Sequence, residues 1–228
     1  MVNLIDGLNQ LITEAKAYSD QFTMDAPINI EIKLTDTMET AILRVHQEIT
    51  LNNGPSPDLR LYMTQETFTR IMEGKADFGA MIGRSKLSDK RPIDFELINP
   101  SKTSKIMGAL YPLMTMFFTP GIIKVKTLNK SMAGEAHGAQ PIPLVYWNGI
   151  RYAWYHIDKG ETLNVAGEKD PYPQTFQIIK GTGVAQIGEK SLDIYPGQAI
   201  YVPANVEHKI KAYENIELLW LAWKTPLL

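Results

Sequence analysis

Residues 174–208 constrain the fold of this chain more than any other stretch. Gln174, Thr175, Phe176, Gln177, Ile178 and Ile179 form a β-type run that stops at Gly181. Tyr195-Pro196-Gly197 makes a turn, and a second run, Tyr201-Val202-Pro203-Ala204-Asn205-Val206-Glu207-His208, ends on a histidine. β-Branched and aromatic residues suit a pleated surface, and glycine and proline end each run. Similar runs recur at 144–147, 151–157, 184–187 and 216–223, with Gly149, Gly160, Gly188 and Gly197 beside or between them. Short strands at this spacing predict an all-β barrel.

The first half reads differently. Leu4, Ile5, Leu8, Leu11, Ile12 and Ala15 have helical spacing within residues 3–22. Ile28, Ile30, Ile32 and Leu34 alternate as in a half-buried strand, and strand-like runs follow at 41–51 and 59–63. Asn52-Asn53-Gly54-Pro55 between those two runs is a hairpin signal. Thr64 is placed to cap a helix carrying Phe68, Ile71 and Met72, and residues 102–118 predict a longer helix that Pro112 must kink or divide. The expected organisation is an α+β domain over 1–125, a connector over 126–143 rich in Gly, Ala, Ser and Pro, and a β-barrel over 144–228.

Composition narrows the function classes. A net charge of -2 offers no basic stripe for phosphates and argues against nucleic acid. No apolar run reaches the roughly 18 residues of a membrane span, and the start of the chain lacks the basic residues of a secretory signal. With zero cysteines, disulfides, thiolate metal sites and cysteine nucleophiles are all excluded. A cytoplasmic protein is expected.

Residues 174–208 resemble the two-motif core of the cupin superfamily, small β-barrels that often hold a metal through three histidines and a glutamate. Gly160 and Gly181 match the glycines that open and close the first motif, and Gln174 stands where the glutamate belongs. Depending on the gap counted, Glu168 with Asp170, Gly167 with Lys169, or Ala166 with Glu168 take the histidine positions, so no alignment supplies a histidine. The second motif follows the family order at Gly197, Pro203 and His208, with Asn205 in place of a glycine.

The resemblance leaves three readings of the barrel. Glu168, Asp170, Gln174 and His208 could form an oxygen-rich site for a divalent cation such as Mn, Mg or Ca. His156 shares a strand face with Tyr152 and Trp154; were that face inward, it could join His208. Alternatively, Glu168 and Asp170 lie on a solvated loop and His208 is a hydrogen-bonded barrel residue, or His208, Gln174 and Phe176 line a pocket for an organic molecule. His137 and His46 are expected to be structural or solvated.

In the first half, Asp58 opens a strand, Gly74-Lys75 follow a helix, and Gly83 follows a second helical stretch. This order resembles the sterol carrier protein type 2 family over about residues 1–125. The resemblance implies a curved sheet covered by helices, with an apolar tunnel for a lipid-like ligand. Phe68, Met72, Phe78, Met81, Met107, Leu110, Met114, Phe117 and Phe118 are the candidates to line it; methionine suits irregular apolar ligands. The expected function is a non-catalytic protein that binds a hydrophobic small molecule in the first domain. The barrel would act as a ligand-sensing or homodimerisation module. The competing expectation is a metal-dependent cupin enzyme acting on a small or lipid-like substrate.

Overall fold

A computed structural model describes residues 2–22, 24–52, 54, 56–84, 89–165 and 167–224. The chain divides into two compact units, Met1–Ile82 with Lys90–Thr127, and Gly83–Asp89 with Leu128–Leu228.

The first unit opens with α1 (Leu4–Ala15), capped by the Asn3 side chain, which accepts from the Asp6 N–H. Leu4, Leu8, Leu11 and Ala15 are buried along one face. The helical pattern expected through residue 22 instead tightens into a 3₁₀ segment at Lys16–Phe22, where Tyr18 leaves helical backbone and Phe22 turns into the core.

Five strands follow: β1 (Ile28–Leu34), β2 (Thr40–Val45), β3 (Ile49–Asn52), β4 (Leu59–Met63) and β5 (Asp94–Leu97), in the sheet order β3-β2-β1-β4-β5. The run expected at 41–51 is therefore two strands, joined by the turn at His46, where the His46 N–H bonds the Glu48 carbonyl. The hairpin signal at 52–55 does not mark a hairpin. β4 lies parallel to β1, and parallel neighbours require a crossover rather than a tight turn. Asn53 and Pro55 lie outside the described residues.

Three helices complete the unit: α2 (Gln65–Met72), α3 (Phe78–Ile82) and α4 (Thr103–Pro112). Thr64 caps α2 by accepting from the Thr67 N–H. Pro112 divides the helix, as its position predicts. Lacking an N–H, it ends the α-type ladder, and a π-helical turn continues at Leu113–Phe117.

Two buried polar clamps tie loops to this unit. Asp58 accepts from the Asn29 N–H at 3.0 Å, Lys102 Nζ at 2.9 Å and Asn99 Nδ2 at 3.3 Å. Burial alone would raise its carboxyl, but these bonds hold it below the usual carboxylate range. Lys126 is paired with Asp77 at 2.6 Å and also donates to the Met114 carbonyl; burial pushes its ammonium below the ordinary lysine value.

The second unit is β-rich, with β6 (Gln140–Trp147), β7 (Ile150–Ile157), β8 (Thr162–Leu163), β9 (Gln174–Lys180), β10 (Gly183–Ile187), β11 (Lys190–Ile194), β12 (Ala199–Val202), β13 (His208–Ala212) and β14 (Ile216–Trp223). One sheet runs β11-β10-β13-β8 and the other β12-β9-β14-β7-β6. Their inward residues, including Ala153, Tyr155, Leu163, Phe176, Ile178, Ala185, Ile210, Leu218 and Trp220, pack into one core between the sheets. β8, β11 and β13 have no counterpart among the runs read from sequence, and β6 begins at Gln140, inside the stretch expected to be connector.

Two turn positions show why the chain folds this way. Gly181 has φ +81°, and a Cβ there would sit 2.1 Å from the Asn215 carbonyl oxygen, so only glycine lets β9 turn into β10. Asn205 has φ +62°, the left-handed conformation for which asparagine is an accepted substitute for glycine.

Candidate functional site

The polar groups gathered inside the second unit centre on His208, which is 4% exposed at the start of β13. Its Nδ1–H donates to the Val206 carbonyl at 3.1 Å, leaving Nε2 as the acceptor. Asn164 Nδ2 lies 2.9 Å from that nitrogen and Gln174 Nε2 3.2 Å from it. Gln174 is held in turn by Trp220, whose indole N–H donates to Gln174 Oε1 at 2.5 Å. The result is a buried chain running from Trp220 through Gln174 to His208, with Asn164 at its end. Phe176 covers one side, its ring 5.5 Å from the imidazole.

Strand alternation delivers these groups to one place. Gln174 and Phe176 are two apart on β9, and Trp220 follows Leu218 on the same face of β14, which pairs with β9. Asn164 directly follows β8, which pairs with β13, and its φ of +62° turns the chain there.

Tyr155 faces the same interior, its ring edge-on to Trp220 at 6.1 Å. Burial pushes its hydroxyl well above the ordinary phenol range; Tyr146, Glu168 and Asp170 add to the shift and Arg151 opposes it. Arg151 lies 3.7 Å from Asp170 and above the Tyr172 ring, and the Asn205 N–H donates to the Asp170 carbonyl.

The sequence candidates therefore separate. Gln174, Phe176 and His208 come together. Glu168 contacts His137 Nδ1 at 2.6 Å, and the Asp170 carboxylate accepts from the Tyr172 N–H and faces Arg151, so neither is a neighbour of the imidazole in the hydrogen-bonded group. Ala166 lies outside the described residues. His156 does not meet His208. Ala153, Tyr155 and Ile157 hold the inward face of β7, and a period of two sends Tyr152, Trp154 and His156 to the other face. There His156 Nε2 lies 3.3 Å from Asp158, whose carboxyl is held below its usual range chiefly by its bond to Lys130.

Sequence reasoning missed Asn164, Tyr155 and Trp220 as site residues. Asn164 fell outside every family register, although asparagine beside a short strand signals a left-handed turn. Tyr155 lies on the opposite face of β7 from Tyr152, Trp154 and His156, and the run alone does not decide which face turns inward.

The donor set does not fit a resident divalent cation. It offers one imidazole, whose free nitrogen is turned toward two amide N–H groups, and no carboxylate in the hydrogen-bonded cluster. Among the described residues no group of three or more His, Asp or Glu side chains is placed to hold a metal.

In the first unit, Phe68, Phe78, Met81, Leu110, Phe117 and Phe118 are buried in the core, with Met72, Met107 and Met114 packed against it. Phe78 and Phe118 stack at 4.0 Å, and Phe117 meets Phe22 and Phe118 edge-on. None of these nine lines the two surface clefts described for this unit. The first, of about 420 Å³, is bounded by Ile12, Ala15, Phe22 and Ile49, with Lys16 and Glu48 at its rim.

The interior between two antiparallel sheets, reached by His208 and Gln174, is the architecture of a cupin. Residues 153–224 match the cupin domain family and form such a domain. Among solved structures, a conserved protein of unknown function from Streptococcus pyogenes is 21% identical over 47% of this chain and 92% of its own, with a TM-score of 0.39. A cupin superfamily protein from Desulfitobacterium hafniense is 16% identical over 45% and 94%, with a TM-score of 0.38. A predicted oxalate decarboxylase from Thermotoga maritima is 17% identical over 38% and 81%, with a TM-score of 0.36. No curated protein matches the chain. The described helices include none long and apolar enough to cross a membrane.

Proposed function

We propose that the chain is a non-catalytic binding protein whose cupin lumen takes a small organic molecule without a resident metal. One observation carries this reading: the His208 nitrogen that would serve a metal faces the amides of Asn164 and Gln174, and Trp220 locks Gln174 in that orientation. Hydrogen-bonding groups set among aromatic walls are the usual make-up of a pocket for an organic ligand. Cupin domains occur in both enzymes and binding proteins. The absence of a carboxylate beside the imidazole favours binding over metal-dependent catalysis.

The first unit fits the same reading as a sterol-carrier-like holder of a hydrophobic small molecule. Its support is a single five-stranded sheet combined with helices, and a cleft of about 420 Å³ with an apolar floor. A homodimer and a cytoplasmic location complete the proposal. The exposed Val145, Trp147, Ile150 and Tyr201 of the second unit favour pairing.

The test is elemental analysis of the purified protein beside His208→Ala, with native mass spectrometry for retained organic ligands. The expected result is no stoichiometric metal in either protein and an organic adduct on the wild type. Stoichiometric Mn, Fe, Ni or Zn that disappears in His208→Ala would overturn the proposal and restore the metalloenzyme.

A further inference from the structure

The cleft of about 420 Å³ in the first unit lies between the end of α1 and β3, the last strand of its sheet. Ile12, Ala15 and the C-cap residue Lys16 stand at helical spacing and form one wall, and Glu48, Ile49 and Thr50 form the other. Ala15, Phe22 and Ile49 are each at most 5% exposed and belong to the packed core, so the floor is a fixed apolar surface. The volume falls within the range of small-molecule sites, roughly 300–1,000 Å³.

The rim adds one charge of each sign. Lys16 comes from the helix side and Glu48 from the strand side, and both are exposed. They do not pair with each other, and neither side chain has a hydrogen bond or ion pair among the described residues. A guest with a single charge would satisfy one of them and be repelled by the other. An uncharged guest would strip water from both and return nothing. A guest with both charges beside an apolar body completes floor and rim together.

Resting on the reading of the first unit as a holder of a small apolar molecule, we propose that this cleft binds a short apolar zwitterion of the amino-acid type. Its carboxylate would face Lys16 and its ammonium Glu48, with the side chain laid on Ala15, Phe22 and Ile49.

Three probes with one branched carbon body test this on the full chain by calorimetry and methyl NMR: leucine, isocaproate, which lacks the ammonium, and isoamylamine, which lacks the carboxylate. Leucine should shift the Ile49 methyl resonances and bind about 3- to 5-fold tighter than either analogue, the scale of a solvent-accessible ion pair. Lys16→Met should erase the advantage of leucine over isoamylamine without weakening isoamylamine. Glu48→Gln should erase its advantage over isocaproate without weakening isocaproate. Both side chains are exposed and unpartnered, and thermal melts check that the variants fold. If either analogue binds as tightly as leucine, or the variants leave the order unchanged, the zwitterion is wrong while the apolar holder stands. If no probe shifts the Ile49 methyls, both fail.

Discussion

The two units use their aromatic residues in opposite ways. In the first, Phe22, Phe78, Phe117 and Phe118 pack on one another within an apolar core, and all are at most 2% exposed. In the second, Trp220 donates to Gln174, Phe176 flanks an imidazole, and the Tyr155 ring stands edge-on to Trp220. An all-apolar interior gains most by closing on itself, because each void forfeits dispersion and burial. An interior with fixed polar groups cannot collapse without leaving them unsatisfied, so it preserves hydrogen-bonding sites. Apolar composition alone is thus a poor guide to where a ligand goes.

The largest effect that could break this contrast lies in the first unit. Phe117→Ala should cost about 3–5 kcal/mol in urea unfolding, as expected for emptying a packed ring site. A stability near wild type, with loss of a fluorescent fatty-acid probe, would show that Phe117 lines a tunnel rather than a core.

Gln174→Leu comes next. It strips partners from both the Trp220 N–H and His208 Nε2, and should destabilise the barrel by about 2–4 kcal/mol. Gln174→Glu keeps an acceptor for Trp220 and should cost less. Equal losses in the two variants would mean that Gln174 acts through its volume and not through its bonds.

Asp58 gives a smaller, pH-dependent effect. Its folded pKa is lowered relative to the unfolded chain, so its contribution is fully present above the unfolded value near 4 and fades as pH falls through the folded one. With Lys102 partly exposed, the amount is about 1 kcal/mol. Asp58→Asn should remove that acid-limb slope from pH-dependent unfolding curves, and an unchanged slope would contradict the clamp.

The smallest effect is expected at Lys130, which pairs with Asp158 at the surface. Lys130→Ala should change barrel stability by only a few tenths of a kcal/mol. A loss above about 1 kcal/mol would require the Lys130, Asp158 and His156 group to act as one unit.

Much of the barrel was legible beforehand because strands and glycine turns are local signals. The run at 216–223 coincides with β14, and Asn205 adopts the left-handed turn that its place in the second motif implied. β8 escaped notice because two residues carry no periodicity. β11 escaped because Lys190, Ser191, Leu192 and Asp193 are all exposed and show no apolar alternation.

The sequence by itself determined that the chain changes from α+β to all-β character, that residues 153–224 form a cupin domain, and that thiol chemistry is absent. Tertiary structure decided which groups His208 and Gln174 meet. Pairing of β8 with β13 brings Asn164 to the imidazole, and pairing of β14 with both β7 and β9 brings Trp220 to Gln174 and Tyr155. It also decided that Tyr155, not His156, packs into the barrel core. Both outcomes depend on strand register, which distant partners set, and a shift of one residue exchanges every inward side chain for its neighbour.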